Sequence, residues 1–139
     1  MEAFNYAKEN SKNPICYNGN LNSASEIEAF IAEHTDITSV MLGRGLIGDP
    51  GMLSKNHTTA QNLQEFHNAL LDGYLSEFGG ARNAMFRLKE HWRYWFCLFN
   101  DSDKFQKKIR KSTDMQEYRT ITMEIFQTLT LRDQLSPNW

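Results

Sequence analysis

The sequence of 139 residues has few of the residues that reinforce small secreted proteins, with only two cysteines, Cys16 and Cys97, and three prolines. The cysteines lie in apolar surroundings without a paired spacing, so nothing indicates a disulfide framework. The first residues, Met1 to Phe4, lack the basic and then apolar segments of a signal peptide. These absences favour a cytoplasmic protein with reduced thiols.

Long apolar runs are absent as well, and no stretch approaches the roughly 20 residues that a membrane-spanning helix requires. The four histidines show no metal-ligand spacing with one another or with the cysteines, so we expect no metal site. No nucleophile stands beside a base partner, and we therefore expect no catalytic residue in this chain. A chain of this length can nevertheless bury one core without disulfides or a metal, because 40% of its residues are hydrophobic.

Charge is unevenly distributed along the chain, although the formal net charge is only -2. Residues 1–57 carry four basic and seven acidic side chains, whereas residues 58–139 carry eleven and ten. Within the second part, the stretch from Arg82 to Lys111 holds nine basic residues and three acidic ones. Such a stretch is either a solvated face or the electrostatic footprint of an anionic polymer such as RNA.

The first 57 residues alternate between helical and strand patterns. The predicted elements are a polar helix, a strand, a helix and a second strand, at residues 2–11, 14–18, 24–34 and 38–42. A capping box of Ser23 and Glu26 marks the start of the second helix, and a short helical segment precedes Pro50. This order predicts two parallel neighbouring strands joined by a helical crossover.

From Thr58 onward the sequence shows only helical patterns. We expect capping boxes at two helix starts, Thr58 with Gln61 and Thr113 with Gln116. A short basic helix is expected over 101–111. An apolar seam with three- and four-residue spacing is formed by Met85, Leu88, Trp92, Trp95 and Phe99. Because this spacing is typical of helices that pack on other helices, the second half is predicted to be a helical bundle.

Two glycine-containing loops end the predicted strands, Asn18-Gly19 and Gly43-Arg44-Gly45. A glycine directly after a strand allows backbone N–H groups to approach a ligand, and each loop leads to a helix N-terminus, which favours an anion. Arg44 adds a guanidinium that can bind two phosphate oxygens at once. The alternative is that the glycines only form turns and that Arg44 is a surface charge.

A basic edge accompanies the tryptophan-containing helix. On a helical wheel, Arg82, Lys89 and Arg93 lie along one side of the apolar seam. Lysine and arginine in this position can contact phosphates without reading a base sequence, and His91 or Tyr94 can stack or donate a hydrogen bond. The alternative is that the tryptophans belong to the core and that the charges serve solubility.

Three segments, taken in order, resemble the C-terminal part of the tRNA-dihydrouridine synthases. They are Asn-Pro-Ile-Cys-Tyr-Asn-Gly-Asn at 13–20, Val-Met-Leu-Gly-Arg-Gly-Leu-Ile-Gly-Asp-Pro at 40–50 and Lys-Glu-His-Trp-Arg-Tyr-Trp at 89–95. That family is a flavin-dependent (β/α)8 TIM barrel with a helical domain, and it reduces uridine in tRNA with FMN and NADPH. The resemblance implies a mostly helical chain: an α/β remnant, the last βαβα part of the barrel, at 1–57, and an all-α tRNA-binding domain at 58–139.

The resemblance also implies roles for single residues. The FMN phosphate would be bound by Asn18, Gly19, Gly43 and Arg44. Transfer RNA would be bound by Lys89, His91 and Arg93, to which the helical wheel adds Arg82. Asn20 stands where the family typically has an aspartate, and Glu90 occupies a position that is usually basic.

The family uses strands upstream of these segments for the flavin ring and the uracil. We therefore expect Met1 to begin a truncated product that does not turn over substrate by itself. Two parallel strands cannot close a barrel, so we expect their edges to be covered by the bundle, by a second copy or by an upstream barrel half. The alternative function is a non-catalytic RNA-binding module that uses the stretch from Arg82 to Lys111. A protein adaptor is a third hypothesis, supported only by the tryptophan-rich helix.

Overall fold

The computed structural model describes residues 1–54, 57–133 and 135–137, which are mostly helical with a small parallel sheet. The elements are α1 Glu2–Asn10, β1 Cys16–Asn18, α2 Ala24–Glu33, β2 Ser39–Met41, α3 Arg44–Gly48, α4 Ala60–Glu77, α5 Ala81–Trp95, a 3-10 turn Phe96–Leu98, α6 Asp103–Lys111 and α7 Met115–Thr128. None of the helices among these residues is both long and apolar enough to cross a lipid bilayer.

The two strands pair in parallel, as predicted, with Tyr17 opposite Val40 at the centre of the register. Both central residues are half-buried, whereas the outer residues of each strand are exposed. Cys16, although it lies in an apolar stretch of sequence, is therefore exposed. The reason is the two-residue period of a strand, which places Cys16 on the sheet face opposite Tyr17, and Tyr17 faces the helices.

The N-terminal region, residues 1–54, has a small core between the sheet and its helices. Tyr17 stacks on Phe30 of α2 with ring centroids 4.0 Å apart, and Phe4 of α1 meets Tyr17 edge-on. The buried members of this core are Leu21, Ile27, Phe30, Ile37 and Met52, each 6 to 9% exposed. The N-terminal core is thus made by one face of the sheet and the two helices beside it.

The helical region, residues 60–131, packs α4 to α7 around a larger core. The whole predicted seam is buried to 0% exposure, namely Met85, Leu88, Trp92, Trp95 and Phe99. Trp92 Nε1 donates a hydrogen bond of 2.8 Å to the Tyr118 hydroxyl of α7, so the seam is tied to the last helix by a polar contact as well. The predicted burial of the seam is confirmed, but Phe99 lies outside the helix, since α5 ends at Trp95 and Phe99 follows the 3-10 turn in extended backbone.

The capping box of α4 lies one residue later than predicted. Thr59, not Thr58, accepts from the Asn62 amide, and the Asn62 side chain accepts from the Thr59 amide. The Thr58 hydroxyl instead donates to the Asp49 carboxylate. The box therefore uses Asn62 where the usual sequence pattern has glutamate or glutamine, and the helix buries Leu63 in its first turn.

The same one-residue shift occurs at α7. Its N-cap is Asp114, which accepts from the Glu117 amide at 2.9 Å, while the Glu117 carboxylate accepts from the Thr113 amide. The predicted pair of Thr113 and Gln116 does not cap the helix. At α2 the predicted N-cap forms, since Ser23 accepts from the Glu26 amide at 3.1 Å, but the reciprocal half of the box does not, because the Glu26 carboxylate accepts from the Asn22 amide.

Contacts that join distant parts of the chain were not predicted. Helix α3 packs against α5 and the 3-10 turn, which connects the two regions. After α7 the chain returns to form an antiparallel bridge between Phe99 and Leu131. The composition change predicted between Ser54 and His57 falls partly on residues 55–56, which lie outside the described residues.

Candidate functional site at the strand ends

The loops that follow β1 and β2 line one cavity of about 290 Å³. The four residues predicted to bind phosphate all lie in its lining, namely Asn18, Gly19, Gly43 and Arg44. They are brought together because the strands are parallel, with Asn18 paired to Met41, so that both chains leave the sheet at the same edge. The structure therefore places two segments that are 24 residues apart around a common space.

Gly45, the second residue of α3, lies directly against the first loop. A Cβ atom at this position would be 2.6 Å from the Leu21 carbonyl oxygen, a distance that no side chain tolerates. A glycine is therefore required for the start of α3 to approach the loop after β1. The absence of a side chain at Gly45 therefore allows the two loops to line the same cavity.

Arg44 brings a positive charge to the cavity. Its Nη2 atom donates a 3.2 Å hydrogen bond to Asn20 Oδ1, and the side chain is exposed. Since Asn20 is a neutral amide, this contact orients the guanidinium without neutralising it. An aspartate at this position, as is typical of the resembled family, would have formed an ion pair there.

The lining also contains backbone donors. Helix α3 begins after Gly43, whose carbonyl accepts from the amides of Leu46 and Ile47. The Gly45 amide lies in the first turn of α3, where the helix itself provides no acceptor for a main-chain N–H group. The described lining has a guanidinium, side-chain amides and main-chain amides but no carboxylate. This donor set fits a phosphate group.

Asn20, Leu21 and Asn22 also line the cavity, and the sequence did not single them out as ligands. Their presence follows from the loop between Gly19 and the Ser23 cap, which has to turn across the sheet edge. The one indication in the sequence was Asn20, which stands where the resembled family typically has an aspartate.

The residues predicted to bind RNA do not all share one surface. Arg82 and Lys89 lie beside the exposed ring of Phe86, at 5.6 and 5.4 Å from its centroid. Arg93 is exposed one turn after Lys89. These three cations lie along one side of α5, as the helical wheel predicted.

Lys89 also has a structural contact. Its ammonium donates to the carbonyl of Ser112, the residue that caps the C-terminus of α6. Burial lowers the pKa of Lys89, and the nearby Glu117 carboxylate opposes that shift. Lys89 thus links α5 to the end of α6, and a substitution there changes more than a phosphate contact.

His91 faces α4 instead of the basic side of α5. Its Nε2 atom is 2.9 Å from the Tyr74 hydroxyl, and its ring stacks on Trp95 with centroids 5.4 Å apart. Burial lowers the pKa of His91, which favours the neutral imidazole. The helical wheel already indicated this orientation, because His91 is two residues from both Lys89 and Arg93 and therefore lies about 200° from each of them around the helix axis.

Comparison with known proteins gives two matches. The sequence model of the family described as Dihydrouridine synthase (Dus) matches residues 1–130. The tRNA-dihydrouridine synthase B of Pasteurella multocida (strain Pm70) is 25% identical over 137 residues, an alignment that covers 91% of this chain and 41% of that protein. The chain therefore spans less than half the length of this relative. Since the family match runs through both loops, the sheet and all seven helices, the chain belongs to the dihydrouridine synthase family.

Proposed function

We propose that this chain supplies the FMN-phosphate site and the tRNA-binding helices of a cytoplasmic oxidoreductase that reduces uridine in tRNA to dihydrouridine, with NADPH as the reductant. The observation that carries the proposal is the cavity in which Asn18, Gly19, Gly43 and Arg44 meet. Family membership supports the reaction class, and the name of the Pasteurella relative supports tRNA as the substrate.

The proposal divides the chain at residue 57. Residues 1–57 correspond to the last βαβα part of a TIM barrel, and residues 58–139 to a helical bundle that binds tRNA. The parallel pairing of β1 and β2 supports the first assignment, since all strands of such a barrel are parallel. The exposed outer positions of both strands supply a sheet face that an upstream barrel half or a second copy would cover.

Bound FMN would take a hydride from NADPH and supply it to the uracil. The residues of this chain contribute binding and orientation: the Arg44 guanidinium and the amides at the start of α3 hold the phosphate, and Asn20 fixes the guanidinium. Gly45 keeps the two loops close enough to act on one group. We assign no proton transfer to this chain.

Flavin titration of the purified chain tests the phosphate site. FMN and riboflavin differ only in the phosphate, so we expect FMN to bind more tightly and the difference to shrink in Arg44→Gln, since the main-chain amides still contact the phosphate. Loss of one charge-assisted contact corresponds to about 2 kcal/mol, or roughly thirty-fold in affinity. The readout is quenching of flavin fluorescence.

Arg87→Gln is the matched control, because Arg87 pairs with Glu90 on the exposed surface of α5 and does not line the cavity. This variant should retain the preference for FMN. Equal affinity for FMN and riboflavin in the unmodified chain, or no flavin binding at all, would contradict the proposal.

A non-catalytic RNA-binding module is the second candidate function. It is supported by two exposed cations of α5, Arg82, which lies over the Phe86 ring, and Arg93. Filter binding of bulk tRNA at several salt concentrations tests it, because counterion release makes the logarithm of affinity fall linearly with the logarithm of salt. Binding that is absent or insensitive to salt would exclude this function.

A further inference from the structure

Helices α5 and α6 line an open groove of about 760 Å³, hereafter the α5/α6 groove, which lies within the stretch from Arg82 to Lys111. Its floor is formed by Trp92, Phe96 and Ile109, which are 0, 5 and 3% exposed. Phe86 stands at its rim and is 45% exposed. An apolar floor in a concavity of this size is typical of a ligand site.

The rim of the α5/α6 groove is predominantly basic. Arg93 of α5 and the pair Lys107 and Arg110 of α6 line it with exposed side chains. None of these three cations forms an ion pair with another residue that the structure describes. The charge of the rim therefore favours an anionic ligand.

Two carboxylates also line the groove, and they do not cancel this charge. Glu90 is paired with Arg87, at 3.3 Å, which lies outside the lining. Asp103 lies in the first turn of α6, where the helix N-terminus stabilises a carboxylate. Together with Lys89, the lining holds four basic residues and two acidic ones.

We propose that the α5/α6 groove binds an unpaired segment of RNA, with a base against Phe86 and the apolar floor and its phosphates at Arg93 and Arg110. This inference rests on the proposed RNA-binding function and adds the kind of RNA that the site takes. Duplex RNA presents only its backbone and minor groove to a protein, so an apolar floor contributes nothing to it. Unpaired bases expose apolar faces that stack on aromatic side chains between phosphate contacts.

Fluorescence anisotropy with a labelled, unstructured 12-nucleotide RNA and with a duplex of the same length tests the proposal. We expect the single strand to bind more tightly. Phe86→Ala should weaken single-strand binding about ten-fold, in line with the loss of one base contact, and leave duplex binding unchanged. Because Phe86 is an exposed residue, circular dichroism should show an unchanged fold.

A charge-matched pair of variants locates the phosphate contacts. Arg93→Gln/Arg110→Gln removes two charges from the groove, while Lys104→Gln/Lys111→Gln removes two from exposed positions of α6 outside it. The groove variant should lower the salt slope for the single strand by about 1.4, at roughly 0.7 for each phosphate contact. The control should lower it by less than half as much and affect both RNAs alike.

Several results would overturn the inference. Equal losses in the groove variant and its control, or tighter binding of the duplex, would show that tRNA is bound by the surface charge alone, and the RNA-binding function would survive. If an acidic peptide displaces the single strand, and if Phe86→Ala also weakens the binding of that peptide, the groove binds a protein segment instead of RNA. Absence of all RNA binding would remove both the inference and the RNA-binding function, whereas the flavin titration would be unaffected.

Discussion

The two regions of the molecule differ in how completely they bury their own cores. Five side chains form the buried core of the N-terminal region, and each retains 6 to 9% exposure. In the helical region Trp92, Trp95, Phe99 and Tyr118 are all at 0%. The helical region therefore supplies its own interior, whereas the N-terminal region depends on contacts beyond its own elements.

The physical cause is the number of elements around each core. A strand of three residues buries one face, and among the described residues the helices pack against the side of Tyr17 and Val40, while the outer residues of both strands are exposed. Trp92 of α5 contacts the rings of His67 in α4, Phe96 in the 3-10 turn and Phe126 in α7. Small sheets of two strands are marginal without further cover, and this comparison locates the weaker part of the fold.

The helical region also contains a network of buried hydrogen bonds among His67, Tyr118 and Trp92. In the helical region, His67 Nδ1 lies 2.9 Å from Asn68 Oδ1 and Nε2 lies 2.8 Å from the Tyr118 hydroxyl. Since an amide oxygen only accepts, Nδ1 carries the proton and Nε2 accepts from the tyrosine, which in turn accepts from Trp92. One buried nitrogen in each region has no hydrogen-bond partner among the described residues: His34 Nε2 in the N-terminal region and Trp95 Nε1 in the helical region.

The largest expected effect is that of Trp92→Ala, which should lower the free energy of unfolding by about 4 kcal/mol in urea titrations, because it empties the centre of the helical region. Phe30→Ala is the counterpart in the N-terminal core and should cost less. Hydrogen exchange should show that Phe30→Ala leaves the amides of α4 to α7 protected. If Phe30→Ala also abolishes that protection, the two cores are one cooperative unit and the comparison fails.

Tyr118→Phe should cost about 2 kcal/mol, because two buried groups, Trp92 Nε1 and His67 Nε2, lose their partner at once. The volume of the side chain hardly changes, so the loss isolates the polar contacts. Tyr6→Phe is the control: Tyr6 is 70% exposed, and its unfolding free energy should stay within about 0.5 kcal/mol of the unmodified protein. A neutral Tyr118→Phe would mean that the network does not stabilise the helical core.

Acid should weaken the helical region. Burial is the main cause that lowers the pKa of His67 and of His91 below 6.5, so the unfolded chain binds protons that the folded chain does not. Stability is then complete above pH 6.5 and falls as the pH drops below it, by at most about 1.4 kcal/mol per pH unit for each histidine. Urea titrations between pH 8 and 5.5 measure this slope. The double variant His67→Gln/His91→Gln should flatten it, and a slope unchanged in that variant would assign the acid sensitivity to other groups.

The smallest expected effects are those of the helix caps. Thr59→Ala and Ser23→Ala each remove one side-chain acceptor at a helix start, worth about 1 kcal/mol. In urea, Thr59→Ala should lower global stability, whereas Ser23→Ala should appear mainly as faster hydrogen exchange in α2. Ser76→Ala, at an exposed position within α4, should change neither. Equal global losses from both caps would show that the N-terminal region unfolds together with the helices.

Helices and strands were predictable because their signals are local. The seam from Met85 to Phe99, the parallel strands and the order of the elements all followed from apolar periods and turn residues. Two helix caps were predicted one residue too early, because threonine and aspartate are both good N-cap residues and stand next to each other or in pairs at these helix starts. The phosphate-site residues were predicted as a group because each follows a strand, and parallel strands end at the same edge.

The sequence by itself determined which residues share a face of one helix or strand, and through its motifs it determined the family. Only the tertiary structure decided which faces meet: that His91 bonds to Tyr74, that Lys89 reaches Ser112, and that Cys16 lies on the uncovered side of the sheet. The α5/α6 groove arose in the same way, from the packing of two helices separated by a turn. A periodic pattern records the environment of its own element, whereas the identity of the neighbour depends on how all the elements pack together.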